Sequence, residues 1–181
     1  MRPNTRFRHQ QYAPPASPPP NTLSIYTAGD GDPRKKGEPP PPAGAGVVAV
    51  TRATQQRVYT ICETVSVGRT PHVKTVTENL AHLVAFTRAC EWALGPDARG
   101  APAIIRYTNE YAANVATGLW RPRKHRPMAA AAQLAFRTLR ERRGGNVWIE
   151  HVRQDQHWAA MARDHATRAK GGENRRSRDV D

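Results

Sequence analysis

The chemistry of this chain is best sought at residues 104–120, IIRYTNEYAANVATGLW, where a strand gives way to a helix. Ile104, Ile105 and Tyr107 are β-formers, Asn109 is a helix-capping type, Glu110 suits a first turn, and Gly118 suits a helix end. Such junctions carry catalytic side chains in α/β proteins. Thr108 and Asn109 occupy this one, at a point where a metal enzyme needs a carboxylate. The histidines make no zinc motif: His82, His151, His157 and His165 include no HxxxH pair, and neither Cys62 nor Cys90 lies near enough in sequence to join them. Two well-separated cysteines read as thiols of a reduced, intracellular compartment, with nucleus, cytoplasm or mitochondrion left unresolved. The run after Trp120 (Arg121, Arg123, Lys124, His125, Arg126) has the charge and the neighbouring aromatic that suit phosphate contact and base stacking. It equally suits a solvated loop.

The elements that must position these residues follow from periodicity and breakers. Residues 23–27, 44–52 and 57–63 read as three strands joined as an antiparallel meander, with a charged, proline-rich loop over 30–42. Residues 77–94 read as a helix: Leu80, Leu83, Val84, Thr87, Cys90 and Leu94 share one face, Thr77 or Asn79 caps it, and Gly95-Pro96 stops it. After the strand–helix unit come a basic loop over 120–127, an alanine-rich helix over 128–142, a strand over 146–152 and a helix over 156–170. This order predicts an α/β fold with a mixed five-stranded sheet flanked by helices. Residues 1–22, with Arg2, Arg6 and Arg8, no acid and many prolines, read as a disordered basic arm, residues 23–172 as one domain, and 173–181 as a polar tail. The prolines disfavour the amphipathic helix of a transit peptide.

The chain has 181 residues and a net charge of +13. That balance points to a polyanionic partner, nucleic acid before an acidic protein. No apolar run approaches the length of a membrane span.

Five stretches in order resemble ribonuclease H type 1, the enzymes that cut the RNA strand of RNA–DNA hybrids. They are IYTAGDG at 25–31, GAGVVAV at 44–50, TENLAHLVAFTRACEWAL at 77–94, RYTNEYAANVATGLW at 106–120 and HVRQDQHWAAMARDHATRAKGG at 151–172. The resemblance implies the ribonuclease H-like fold and four carboxylates around two Mg²⁺ ions, which clamp the attacking water and the leaving oxygen. In this register the four carboxylate positions hold Ala28, His82, Thr108 and Arg163. The family's flexible loop with its histidine appears as Arg153-Gln154-Asp155-Gln156.

The resemblance therefore implies a nucleic-acid-binding or structural domain without catalysis and without a cofactor. Thr77 and Asn79, at family RNA-contact positions, and Arg121, Arg123, Lys124 and Arg126 are its candidate binding residues. An alternative is an active hybrid ribonuclease with a rearranged site, in which Asp30, Glu78 and Glu110 hold Mg²⁺. Asp30 lies two residues past Ala28 on the same side of a strand, Glu78 one helical turn before His82, and Glu110 two past Thr108. A second alternative is a protein-interaction module within a ribonucleoprotein complex.

Overall fold

The computed structural model describes residues 10–33, 37–71, 73 and 75–178. Six strands form one mixed sheet: β1 (Leu23–Gly31), β2 (Ala43–Thr51), β3 (Arg57–Val65), β4 (Ala103–Tyr107), β5 (Val147–His151) and β6 (Arg175–Arg178), in the order β5-β4-β1-β2-β3-β6. β1, β2, β3 and β6 pair antiparallel, whereas β4 pairs parallel to β1 and β5 parallel to β4. The helices are α1 (Glu78–Leu94), α2 (Glu110–Ala116), α3 (Arg126–Arg142) and α4 (His157–Lys170). No helix among the described residues is long and apolar enough to cross a membrane.

Strand alternation divides the core. Leu23, Ile25, Ala45, Val47 and Ile105 turn to one face and bury Leu80, Leu83, Val84 and Phe86 of α1 together with Phe136 and Leu139 of α3. Tyr26, Ala28, Val48 and Val50 turn to the other and bury Ala159 and Ala162 of α4. α4 approaches so closely because β2 offers it no side chain at two points. A Cβ at Gly44 would lie 1.7 Å from the Ala166 carbonyl oxygen, and one at Gly46 2.0 Å from that of Ala162. Helix starts obey their capping chemistry: Thr77 Oγ1 accepts from Leu80 N–H at 3.1 Å, and Asn109 Oδ1 from Ala112 N–H at 3.0 Å.

Several sequence expectations are corrected. The sheet has six strands, not five, because part of the polar tail pairs with β3. Arginine-rich Arg175–Arg178 shows no hydrophobic alternation. It is held by backbone pairing, by Asn174 Oδ1 accepting from Thr64 N–H at 2.8 Å, and by Arg176 on Glu63 at 3.1 Å. β1 runs on through Asp30, assigned to a loop above, because Gly29 and Asp30 continue the pairing with Gly44 and Ala45. α3 begins at Arg126, with Pro127 in its first turn, so only residues 121–125 of the basic run lie outside a helix. Arg2, Arg6 and Arg8 lie outside the described residues, but Gln10–Tyr12 of the proposed arm makes a 3-10 turn whose Tyr12 ring meets Phe136 edge-on at 5.5 Å.

Gly46→Ala is expected to destabilise the fold by about 1–3 kcal/mol, since α4 must move away to admit the methyl group. Urea unfolding reads this as a lower midpoint at unchanged slope. An unchanged midpoint would mean that α4 does not press on β2.

Candidate functional site

The carboxyl ends of β1 and β4 form the polar centre, where open α/β sheets place their sites. The parallel register pairs Thr27 with Tyr107, so Ala28 and Thr108 are the next residues on the two strands. α1 crosses the end of β1 at Gly29, where a Cβ would stand 2.4 Å from the backbone nitrogen of His82. α4 brings Arg163 to the same place, where its guanidinium meets the Gly29 carbonyl. The positions 28, 82, 108 and 163 thus converge at one end of the sheet.

Ala28 is buried among Tyr26, Val48, Ala159 and Ala162. Thr108 Oγ1 is buried and has no hydrogen-bond partner among the described residues. His82 is 3% exposed, and its Nδ1 accepts from the Gly29 N–H at 3.0 Å, which leaves the ring proton on Nε2. Nε2 faces Glu78 Oε1 at 3.8 Å. Burial, and then the Arg163 guanidinium, hold the imidazole down to about 4 from its ordinary 6.5, so it is neutral at physiological pH.

Arg163 is the hub. Its Nη1 donates to the Gly29 carbonyl at 3.1 Å and lies 3.6 Å from Glu78 Oε1, while Nη2 donates to Asp30 Oδ1 at 3.2 Å. Asp30 Oδ2 accepts from the Thr167 hydroxyl at 2.7 Å and pairs with Lys170 Nζ at 3.3 Å. Burial pushes the Asp30 carboxyl up, but Thr167, Arg163 and Lys170 together outweigh it and hold the carboxyl below its ordinary value. Thr167 and Lys170 were not singled out in the sequence. Their signal was the spacing from Arg163, four and seven residues on, which is one face of a helix.

Two of the three carboxylates considered for a rearranged site, Asp30 and Glu78, therefore approach the same guanidinium, that of Arg163. Glu110 is exposed in the first turn of α2 and takes no part in this network. No group of three or more His, Cys, Asp and Glu able to hold a metal ion occurs among the described residues.

Beside this centre runs a polar ridge. Thr77 Oγ1 is 3.2 Å from His125 Nε2, which brings the start of α1 against the basic run. Asn79 Oδ1 accepts from Asn109 Nδ2 at 3.0 Å, which ties α1 to the β4–α2 junction. Arg121, Arg123, Lys124 and Arg126 are exposed. The binding candidates Thr77 and Asn79 thus share one edge with the basic run.

The buried neutral His82 carries a pH signature. The unfolded chain protonates this imidazole near 6.5 and the folded protein only near 4, so between these values the unfolded state binds more protons. His82 stabilises fully above pH 6.5, and about 3 kcal/mol is lost as the pH falls to about 4. His82→Gln, whose amide oxygen can still accept from Gly29, is expected to flatten the fall in urea-derived stability across this window. His125 and His165, whose values burial also lowers, and the carboxylates of Glu63 and Asp30, which burial raises but their hydrogen-bonding and cationic partners hold below the ordinary range, supply the slope that remains. Identical slopes in the two proteins would show that His82 is not held neutral.

No protein-family model matches the sequence, and no curated protein sequence matches it. Solved structures do. A ribonuclease H1 isolated from compost by a metagenomic approach matches with a TM-score of 0.60 and 21% identity, over 84% of this chain and 97% of that one. The ribonuclease H1 of the halophilic archaeon Halobacterium salinarum matches with a TM-score of 0.54 and 21% identity, over 84% and 99%. The compost enzyme in complex with an RNA/DNA hybrid matches with a TM-score of 0.53 and 20% identity, over 80% and 95%. Together with the sheet order and the convergence of positions 28, 82, 108 and 163, these likenesses establish that the chain has the ribonuclease H fold.

Proposed function

We propose that this chain is a nucleic-acid-binding ribonuclease H-like domain that does not cut its ligand. The observation that carries the second half is the seat of Arg163, whose guanidinium lies within 3.6 Å of both Asp30 and Glu78. Two-metal hydrolysis needs carboxylate oxygens directed at two divalent ions. Here Ala28 and Thr108 offer no charge, His82 uses Nδ1 on Gly29, and the two nearby acids are already paired with a cation. A divalent ion about 5 Å from that guanidinium would meet a repulsion of roughly 6–7 kcal/mol at an effective dielectric of 20. The residues present do not fit Mg²⁺.

Binding is supported by the net charge of +13 and by the ridge of Thr77, Asn79, Arg121, Arg123, Lys124 and Arg126. A structure of the same fold is in complex with an RNA/DNA hybrid, so the hybrid is the first ligand to test. Glu78 stands at the start of α1, where it would repel a phosphate, but Arg163 lies 3.6 Å from its carboxylate and offsets that charge.

The rearranged hydrolytic site is the second reading, because Asp30 and Glu78 do approach one point. A labelled RNA–DNA hybrid incubated with Mg²⁺ or Mn²⁺ separates the two. No product is expected with either ion, and turnover with either would overturn the non-catalytic reading.

Hybrid affinity is expected to fall steeply with salt. Neutralising Arg121, Arg123, Lys124 and Arg126 together should weaken binding and lower the slope of log K against log salt by about 0.9 for each phosphate no longer neutralised. Salt titration by fluorescence anisotropy reads both, and a flat response in the unmodified protein would remove the nucleic-acid reading.

A further inference from the structure

The turn between α2 and α3 contributes residues to two hollows. Leu119, Trp120, Arg121 and Arg123 border a groove of about 370 Å³ together with Tyr111, whose ring lies 6.5 Å from that of Trp120. Thr117 and Gly118 border a second hollow of about 580 Å³ with Tyr12, Phe136, Arg137 and Arg140. Gly118, which borders the second hollow, and Arg121, which borders the first, are three residues apart, so at most about 11 Å of chain separates them. Among the described residues beyond its chain neighbours, nothing lies within 4 Å of where a Cβ on Gly118 would stand, so the chain is uncovered at that point of the turn.

The second hollow has a platform at its side. The Arg140 guanidinium carbon sits 4.6 Å from the Tyr12 ring centroid, Tyr12 meets Phe136 edge-on, and Phe136 lies 5.9 Å from Phe86 of α1. The stack is therefore anchored in the core. Arg137 is exposed beside it, and Glu141 is the carboxylate among the lining residues. Guanidinium planes and aromatic faces next to further cations are what bases and phosphates of a single strand bind, without regard to sequence. A duplex is too stiff to follow a turn of this size, whereas a single strand can.

We infer that the two hollows form one track for a single-stranded extension of the bound nucleic acid. Its phosphates pass from Arg121 and Arg123 to Arg137, and a base stacks on the Tyr12–Arg140 platform. The inference rests on the nucleic-acid-binding reading above and adds to it a ligand class, a duplex that continues into a single strand. It also gives the segment around Tyr12 a role in binding.

The test is fluorescence anisotropy of the full chain with a short blunt RNA–DNA hybrid and with the same hybrid carrying a single-stranded extension, in DNA and in RNA. The extension is expected to tighten binding about tenfold, the value of one stacked base with its phosphate. Arg137→Ala with Arg140→Ala should abolish that gain and leave the blunt hybrid unaffected. Arg137→Ala alone, at an exposed position, should reduce the gain without touching the packing of Tyr12, and thermal melting checks that it does not. A gain in one polymer only assigns the track to DNA or to RNA.

No gain in the unmodified protein, or a gain that survives the double substitution, overturns the track while blunt-hybrid binding stands. If the blunt hybrid fails to bind as well, the nucleic-acid reading falls with it. Displacement of the extended hybrid by polyglutamate at matched charge, as readily as by single strands, would assign the surface to an acidic protein and overturn the inference.

Discussion

One guanidinium holds the polar end of this molecule together. Arg163 of α4 reaches across β1 to the Gly29 carbonyl, to the Asp30 carboxylate on the same strand, and to Glu78 at the start of α1. Three elements from distant parts of the chain meet there, and each contact depends on the others. α1 can come this near only because Gly29 has no side chain, and α4 only because Gly44 and Gly46 have none. Asp30 is 7% exposed, and a carboxylate so placed is unfavourable unless its oxygens are paired. Thr167 and Lys170 complete that pairing from the same face of α4. Charge and close backbone packing therefore act on one point.

Much of the architecture was legible in residue types. The stripe of Leu80, Leu83, Val84 and Cys90, the caps Thr77 and Asn109, and the stops at Gly95 and Gly118 each reflect local physics, and the structure keeps all of them. What escaped was set by long-range pairing. β6 has no pattern of its own, because three arginines and a serine adopt extended geometry only when β3 offers an edge and Glu63 a counter-charge. The extra length of β1 is similar: Gly29-Asp30-Gly31 has turn composition, and it is the glycine-bearing stretch opposite on β2 that draws it into the sheet. The 3-10 turn at Gln10–Tyr12 likewise rests on distant partners, with Tyr12 packed against Phe136 and Arg140 of α3.

The site was legible in outline and opaque in chemistry. The register that places positions 28, 82, 108 and 163 depends on the five family-like stretches and their order, which the sequence displays. The pairing of Arg163 with Asp30 could not be read from it, since 133 residues separate the partners and position 30 carried a loop assignment. Asp30 and Glu78 are acids near positions 28 and 82, and composition alone cannot say whether such acids face an ion or a side chain. The geometry distinguishes the cases, because Arg163 stands on their shared side and Glu110 does not.

The same guanidinium sets the charge of the polar centre. In a two-metal site the acids and the ions are designed to balance when substrate arrives, and loss of the ions alone would leave a negative patch facing phosphate. An internal arginine avoids that outcome. It offsets Asp30 and Glu78 within the protein, with Lys170 shared between Asp30 and Asp32. The exposed cations at 121, 123, 124 and 126 then stand beside a centre whose acids are already offset. Arg163 thus does two things with one charge: it holds α1, β1 and α4 in register, and it offsets the carboxylates of Asp30 and Glu78 where β1 meets the start of α1.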